Sequence, residues 1–406
     1  MRIKPFKALR PDPAKVEKVA SPPYDVLNSE EARAMAEGNP DSFLHVVKPE
    51  IDLPEGTDLY SDAVYAKAVE NLAALQARCV LIREDHPCLY LYSQMMGDHT
   101  QYGLVCCCHV EDYDADLIKK HEHTRPQKEN DRTRHVSESN ANAGPVFLTY
   151  RDDATISAIA SEVKNQAPLY DFTSADGIRH VVWRIDDSAA LVSAFGAVPE
   201  LFVADGHHRS ASAARVGRER REANPNHTGE EEYNWFLAVL FPASELMILP
   251  YNRIVQDLNG NTADEFLEKV KAVFAVTDDA SPSPTQAGHV SMYLDGKWYD
   301  LSWDPVKTDD PVTAMDVSVL QDRLLGPILA IDDPRKSDRI DFVGGIRGPG
   351  ELKKRVDSGG DAVAFSMYPT SVEQLMAVAD AGKIMPPKST WFEPKLRSGL
   401  LVHTLD

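Results

Sequence analysis

The sequence predicts a mixed protein of the α/β (α+β) class, because short apolar segments that resemble strands alternate with longer segments of helical periodicity. The stretch around Asp205-Gly206 shows this pattern most clearly. An apolar strand precedes this turn, and residues of high helix propensity follow it at 210–216. Further along, Asp295-Gly296 separates two strand-like segments and is a strong hairpin signal. Both features are typical of a chain that combines sheets with packed helices.

The chain of 406 residues is longer than one hydrophobic core usually supports, so we expect more than one domain. We place the domain boundaries where the pattern of residues along the sequence changes. The expected domains are an N-terminal α/β region at 1–110, a central module at 111–260 and a C-terminal α/β domain at 261–406. We find no internal repeat and no low-complexity segment.

Composition and charge exclude several classes of partner. A hydrophobic fraction of 43% and a charged fraction of 26% are typical of a soluble globular protein. No apolar run approaches the roughly 20 residues that cross a bilayer, and the N-terminus lacks the apolar core of a signal peptide. We therefore expect a cytoplasmic protein without a membrane partner. The net charge of −20 argues against nucleic acid, because phosphate contacts need a basic face.

Local patterns predict the helices and strands that precede the turn at Asp205-Gly206, which we call the central turn. The segment 29–37 should be a short helix that Ser29 caps and Gly38 ends. A longer helix is expected at 60–78, because its apolar residues recur at helical spacing. The other elements expected here are a hairpin of strands 88–96 and 101–110, strands 146–150 and 178–185, and helices 152–166 and 188–195.

The elements after the central turn follow from the same rules. The helix that begins there should end at Asn224-Pro225. Thr370 and Glu373 form the pattern of a capping box at the start of a helix over 370–380. The other expected elements are strands 235–241, 245–248, 291–294, 298–301, 339–344 and 361–368, and helices 263–274, 317–325 and 351–357.

Three further stretches have features that periodicity does not explain. The five cysteines include the run 106–108, which is not a disulfide pattern, so we expect reduced and partly buried thiols. The stretch 127–142 is too polar to be core and is either a disordered loop or a helix that lines a wet cleft. Pro22-Pro23 stiffens a loop that ends in Tyr24 and Asp25, which is either a tight surface loop or a wall of a binding site.

The central turn is also a candidate anion site. Free backbone N–H groups and the positive end of the helix dipole meet there, and His207, His208 and Arg209 add donors that suit phosphate. Two other clusters also contain side chains that could bind an anionic ligand or act on it. These are the segment 121–125 with Lys128, Asp131 and Arg132, and the C-terminal Lys388-Ser389-Thr390 with Lys395.

The histidines also allow a second interpretation, a zinc-dependent hydrolase. His121 and His123 would share a face if they lay on a strand, and Glu122 or Asp205 would complete the ligand set. Against this, adjacent histidines diverge and nearby arginines repel a cation, so we expect no resident metal. Phosphate binding uses more of the residues, and Glu122 is then the acid among bases that can accept a hydroxyl proton.

The motifs carry a family resemblance. Asp205-Gly206-His207-His208-Arg209 is similar to the signature of the ParB/sulfiredoxin-like free serine kinases, and His121-Glu122 and Pro387-Lys388-Ser389-Thr390 follow that family's order. Over nearly its full length the chain resembles an uncharacterised bacterial ParB-like family with this central motif. The resemblance rests further on the motifs Ser21-Pro22-Pro23-Tyr24-Asp25-Val26, Asp131-Arg132 and Pro394-Lys395.

The resemblance implies a fold and a set of roles. The fold would be a ParB/sulfiredoxin-like nucleotide module with N- and C-terminal α/β elaborations. Glu122 would deprotonate the substrate hydroxyl, and Asp205 would orient the loop or a magnesium-bound water. The implied phosphate ligands are Gly206, His207, His208, Arg209, Arg125 and Arg132, and the implied substrate-binding residues are His123, Thr124, Lys388, Ser389 and Thr390.

The function that the resemblance implies is a small-molecule kinase. It would transfer a phosphoryl group from ATP or ADP, as the Mg²⁺ complex, to free L-serine or a similar hydroxy acid. A homodimer is compatible with this function. The chain departs from the kinases in its greater length, in Ser210 after the central motif, and in Asn252 before Arg253. The alternatives are a ParB-like nucleotide-binding or NTPase regulator and the zinc-dependent hydrolase.

Overall fold

The computed structural model describes residues Met1–Asp406, and it has the mixed α/β architecture that the sequence predicts. The chain forms two compact units. The first comprises Met1–Leu246 and Pro394–Asp406, and the second comprises Met247–Glu393. The three-domain division of the sequence analysis stays a prediction. Strands from the first two of its segments pair in one sheet.

The helices and strands are numbered in chain order. The strands are β1 (Ile3–Lys4), β2 (Leu9–Pro11), β3 (Leu81–Arg83), β4 (Leu89–Met96), β5 (His99–His109), β6 (Ile118–Lys119), β7 (Ala141–Asn142), β8 (Val146–Tyr150), β9 (Tyr170–Thr173), β10 (Arg179–Ile185), β11 (Leu201–Asp205), β12 (Trp235–Pro242), β13 (Met247–Leu249), β14 (Tyr251–Val255), β15 (Ala275–Asp278), β16 (His289–Leu294), β17 (Lys297–Ser302), β18 (Ile340–Gly344), β19 (Val363–Met367), β20 (Trp391–Glu393) and β21 (His403–Thr404). The α-helices are α1 (Val16–Val19), α2 (Ser29–Ala36), α3 (Leu44–Val47), α4 (Asp62–Ala77), α5 (Val110–Asp114), α6 (Pro126–Ser139), α7 (Ala154–Val163), α8 (Ala189–Gly196), α9 (His207–Ala223), α10 (Ala263–Lys271), α11 (Asp316–Leu320), α12 (Gly348–Asp357) and α13 (Val372–Asp380).

The first unit is built on a nine-stranded mixed sheet. Its strand order is β6-β11-β8-β12-β5-β4-β10-β9, and β1 pairs with β5. Strand β11 runs parallel to β6 and antiparallel to β8. Apolar side chains of the central strands form the core, among them Leu104, Leu148, Val203, Phe236 and Leu240. This core supports β11, which carries the central motif at its C-terminal end.

Helix α6 decides between the two interpretations of the polar stretch 127–142, because Pro126–Ser139 is helical. Two of the polar side chains that it buries, Asp131 and His135, have partners within the first unit. Tyr65 donates to Asp131 at 2.9 Å, and His135 Nε2 lies 2.9 Å from the carbonyl oxygen of Val46. Satisfied hydrogen bonds let a helix with few apolar residues pack in the interior.

The second unit contains a six-stranded antiparallel sheet in the order β15-β17-β16-β19-β14-β18. The predicted hairpin at Asp295-Gly296 is confirmed. Both residues have positive φ, 47° and 81°, as a type I′ turn requires. Helices α10 to α13 belong to this unit, as does the separate strand pair β13-β20. None of the helices in the chain has the length and apolarity needed to cross a membrane.

Two predicted helix caps were wrong by one residue. Asn28, and not Ser29, caps α2, because its side chain accepts the N–H of Glu31 at 2.8 Å. In α13 the capping box joins Ser371 and Gln374, and not Thr370 and Glu373. Ser29 donates to Glu50 at 2.8 Å, and Thr370 donates to the carbonyl oxygen of Ser389 at 2.9 Å. Adjacent polar residues match the same motif, and tertiary partners decide which of them caps the helix.

Candidate functional site

The central motif joins β11 to α9 through Gly206. A bulge between Val203 and Asp205 shifts the register against β8 and changes the direction in which Asp205 leaves the sheet. Gly206 has φ +99° and is the N-cap, and no side chain caps α9. By helix geometry the first N–H groups of α9 therefore keep their capacity for an external acceptor.

Gly206 also leaves space for the side chain of Arg209. A Cβ atom at position 206 would lie 3.1 Å from both Cζ and Nε of Arg209, closer than ordinary contacts allow. Arg209 Nη1 donates to the carbonyl oxygen of Pro145, whereas its buried Nε has no acceptor within the protein. The guanidinium therefore lies across the start of α9 with one donor unsatisfied.

Asp205 is held between two cations. Lys395 Nζ lies 3.0 Å from Oδ2 of Asp205, and Arg209 Nη2 lies 3.6 Å from Oδ1. Burial alone would raise the pKa of Asp205, but Lys395 and Arg209 more than offset it and hold that pKa far below its usual range. Asp205 is thus ionised, and its charge is neutralised by neighbours.

His207 links the central motif to the upstream His121-Glu122 pair. The rings of His121 and His207 make an edge-on contact with centroids 4.4 Å apart. His207 Nε2 is 3.5 Å from the backbone nitrogen of His121, and its Nδ1 is 3.9 Å from Oε2 of Glu122. A backbone N–H facing Nε2 favours the tautomer with its proton on Nδ1, directed toward Glu122. The buried side chain of His207 therefore faces Glu122, and only its backbone N–H is placed like a phosphate ligand.

Burial keeps the histidine pair neutral. It lowers the pKa of His121 to about 4. Burial, together with His121, holds the pKa of His207 well below its usual value. By contrast, the side chain of Glu122 is 48% exposed. A half-exposed carboxylate beside a neutral histidine can accept a proton from a ligand.

His208 leaves α9 in another direction. The backbone N–H of Arg125 donates to His208 Nε2 at 2.9 Å, so this nitrogen is an acceptor and the ring is neutral. Burial lowers the pKa of His208, with Asp25 opposing and Arg125 reinforcing that shift. The side chain of His208 thus fixes the segment that carries Arg125.

The proline-stiffened loop forms a turn that borders this site. Tyr24 lies under the guanidinium of Arg132, whose Cζ is 4.1 Å from the ring centroid. Arg132 Nε donates to Asp131 at 2.9 Å. Tyr24, Arg132 and Arg209 line one small cavity of about 40 Å³ within the first unit. Arg132 is therefore engaged by neighbours as well as placed beside Arg209.

The remaining upstream residues lie at the start of α6. Thr124 donates to Glu129 at 2.6 Å, while the side chains of His123, Arg125 and Lys128 are exposed. His121 is buried and His123 is exposed, and neither lies on a strand. The prediction that His121 and His123 share one face of a strand, which the zinc interpretation required, is thus wrong. The chain between β6 and α6 is irregular there.

Lys388, Ser389 and Thr390 belong to the second unit. Lys388 has φ +57°, and its Nζ lies 5.3 Å from the centroid of the Tyr251 ring. Ser389 donates to the carbonyl oxygen of Pro386 at 2.6 Å. The role of these residues in substrate binding stays a prediction.

Asn252, one of the departures from the kinase pattern, is buried in the second unit. Its Oδ1 accepts the N–H of Met367 at 2.9 Å. It therefore supports the six-stranded sheet.

The structure brings together residues for which the sequence showed only their order along the chain. Glu122, His207, His208, Arg209, Asp205 and Arg125 all surround the start of α9. Lys395 is the direct partner of Asp205, a role that the sequence alone did not indicate. The pattern Pro394-Lys395 was the available signal, since a proline beside a lysine marks a stiffened segment.

A model of the family described as "Protein of unknown function (DUF1015)" matches residues 3–318. The chain belongs to the DUF1015 family. No curated protein matches this DUF1015 chain in sequence.

Solved structures resemble this DUF1015 protein at low identity. Free serine kinase in complex with AMP is 11% identical, with a TM-score of 0.37 over 73% of this chain and 91% of that chain. SbnI with C-terminal truncation from Staphylococcus aureus is 12% identical, with a TM-score of 0.40 over 74% of this chain and 87% of that chain. A conserved hypothetical protein from Pyrococcus furiosus is 13% identical, with a TM-score of 0.35 over 73% of this chain and 94% of that chain.

Proposed function

We propose that this protein transfers a phosphoryl group from ATP or ADP to the hydroxyl group of a small hydroxy acid such as free L-serine. One observation carries the proposal. The carboxylate of Glu122 lies beside the uncapped start of α9, with Oε2 3.9 Å from Nδ1 of His207. Phosphoryl transfer needs this combination of an anion-binding surface and an adjacent base, since most of its catalysis is positioning and charge stabilisation.

The phosphate groups would bind at the start of α9. The backbone N–H groups of 207–209 have no acceptor within the helix, and the helix dipole is positive there. Arg209 offers a guanidinium whose buried Nε has no protein acceptor. A bound anionic oxygen would remove the cost of that unsatisfied donor. Exposed Arg125 and Lys128 add positive charge on the side of α6.

Glu122 would be the general base. Its side chain is half-exposed, so a substrate hydroxyl can reach it. The Nδ1 proton of neutral His207 faces the carboxylate and would orient it. The proton of the substrate hydroxyl passes to Glu122, and the substrate oxygen forms the new bond to phosphorus as the bond to the nucleotide leaving oxygen breaks.

Asp205 would orient the loop in this scheme. Lys395 and Arg209 neutralise its charge, so it is poorly suited as a direct Mg²⁺ ligand. The Mg²⁺ ion would enter with the nucleotide as part of the substrate. The shared order of the three motifs with the ParB/sulfiredoxin-like free serine kinases supports the same reaction class.

The test is ³¹P NMR of the full chain with Mg²⁺, ATP or ADP, and a panel of hydroxy amino acids. O-phosphoserine or a related phosphomonoester should appear. Glu122→Gln should lower its rate of formation by at least about 10²-fold, the size of a typical general-base contribution, while nucleotide affinity stays within about twofold.

A matched control is Glu219→Gln on α9, whose side chain is similarly exposed at 51%. This variant should keep full activity. Release of inorganic phosphate without any phosphorylated acceptor would replace the kinase by nucleotide hydrolysis, the activity of the NTPase alternative. Full activity of Glu122→Gln would refute the assignment of the base.

A further inference from the structure

A second cluster of reactive side chains lies in the first unit at the end of β10, outside the site described above. His86 and Cys88 are two residues apart on the segment that enters β4, and Asp186 follows β10 directly. The antiparallel register pairs Ile185 with Leu89, so the next residues outward, Asp186 and Cys88, are cross-strand neighbours. The sheet backbone therefore holds two of the three groups at a fixed separation.

The reactive atoms of the cluster converge. His86 Nε2 lies 2.9 Å from Oδ1 of Asp186, and Cys88 Sγ lies 3.4 Å from the same oxygen. All three ligand atoms are within 4.8 Å of one another. An ion bound tetrahedrally at ordinary zinc bond lengths separates its ligand atoms by roughly 3.3–3.7 Å, so small side-chain shifts suffice.

We propose that His86, Cys88 and Asp186 bind a divalent transition-metal ion of the zinc class, with a fourth position open to water. The donor set of one nitrogen, one sulfur and one carboxylate oxygen is typical of zinc. The side chains of His86 and Asp186 are 45% and 56% exposed, which gives an ion access from solvent. This site is independent of the proposed phosphoryl transfer.

The surroundings of His86 support metal binding. Its other ring nitrogen, Nδ1, lies 2.6 Å from Oδ1 of Asp85. A carboxylate on the far nitrogen fixes the ring orientation, as it commonly does for metal-binding histidines, and directs Nε2 at Asp186, the neighbouring proposed ligand. The exposed carboxylate of Asp85 therefore already holds the ring of His86 in place from the side away from the proposed ion.

The local charge also suits a divalent ion. Arg184 contacts both Asp186 and Glu84, at 3.0 and 3.1 Å, and Arg10 pairs with Glu84. Once Cys88 is a thiolate, the negative groups exceed the positive groups by two. The negative groups are Glu84, Asp85, Asp186 and Cys88, and the positive groups are Arg10 and Arg184.

Metal binding must displace the thiol proton. Burial and, after it, the contact with Asp186 raise the pKa of Cys88 to about 12, so the metal-free thiol is protonated. The ion would replace this proton on sulfur, and the Nε2 proton of His86 that faces Asp186 would also have to leave that nitrogen, so metal binding would release protons to buffer. The bound ion would tie the segment before β4 to the end of β10.

The test uses the full chain after EDTA treatment, titrated with Co²⁺ and then with Zn²⁺. One Co²⁺ per chain should bind and produce a near-ultraviolet thiolate-to-cobalt charge-transfer band, and Zn²⁺ should displace it. His86→Gln, a surface change, should weaken Zn²⁺ affinity at least about tenfold. Cys88→Ser should lose the band, with circular dichroism confirming its fold.

The matched controls are Cys79→Ser, at the exposed cysteine, and His123→Gln, at the histidine beside Glu122. Both should keep the band and the wild-type affinity. The proposal is overturned if the wild type shows no charge-transfer band. It is equally overturned if His86→Gln binds like the wild type, or if His123→Gln loses the ion.

Discussion

Lys395 donates a 3.0 Å hydrogen bond to Asp205, across 190 residues of sequence. The bond attaches the final segment of the chain to the end of β11. It lies beside Gly206, where α9 begins, and Arg209 approaches the other oxygen of the same carboxylate. The start of α9 is thus positioned by the C-terminal segment as well as by its own strand.

Replacing Lys395 by Met should destabilise the first unit by roughly 1–3 kcal/mol at pH 7, between the values for exposed and buried ion pairs. Because the folded-state pKa of Asp205 is depressed, its stabilisation is present above the unfolded pKa and disappears as pH falls through the folded pKa. The difference between variant and wild type should therefore shrink below about pH 4. Urea unfolding from pH 7 to pH 3 measures it.

Lys67→Met is the control for this experiment, because Lys67 pairs with exposed Glu70 at 2.7 Å. Its free energy of unfolding should change by less than about 1 kcal/mol. An equal loss of unfolding free energy in both variants would mean that the pairing of Lys395 with Asp205 stabilises the protein no more than an exposed ion pair does.

Gly206→Ala should both destabilise the protein and weaken nucleotide binding. The left-handed backbone disfavours a side chain, and the new methyl would press on the Arg209 guanidinium at 3.1 Å. We expect a loss of more than about 1 kcal/mol and at least a tenfold rise in the nucleotide dissociation constant. Thermal unfolding and calorimetric titration with ADP measure the two effects.

Gly196→Ala at the end of α8 is the matched control, since a Cβ there meets nothing within 4 Å. It should be neutral or slightly stabilising and should leave nucleotide affinity unchanged. If Gly206→Ala behaves in the same way, the backbone at 206 does not constrain the site.

His135→Gln should reduce the sensitivity of the fold to mild acid. Burial lowers the pKa of His135 to about 4, with Arg132 reinforcing and Asp131 and Glu50 opposing the shift. Between about pH 6.5 and pH 4 the unfolded chain binds the proton first, so stability falls as pH falls. Each such histidine contributes a slope of at most about 1.4 kcal/mol per pH unit.

The glutamine can still donate to the carbonyl oxygen of Val46, so the comparison isolates the titration. Urea unfolding across this pH range should show a smaller slope for the variant. An unchanged slope in His135→Gln would show that this histidine titrates alike in both states.

Helix α6 marks a limit of prediction from sequence. Its burial depends on hydrogen bonds to other helices. Tyr65 on α4 donates to Asp131, and the carbonyl oxygen of Val46 on α3 pairs with His135. Apolar periodicity cannot reveal such a helix, because its interior positions are polar. The hairpin at Asp295-Gly296 is the opposite case, since two positive φ angles are a local demand that the dipeptide itself satisfies.

The sequence by itself determined the strand, turn and helix around Gly206, because hydrophobicity, helix propensity and backbone freedom act between near neighbours. It also placed Glu122 and the basic residues in a recognisable order. Only the tertiary structure joined Asp205 to Lys395, turned His207 toward Glu122 and directed His208 to the backbone of Arg125. These contacts link distant segments, so they depend on how the sheet and helices pack.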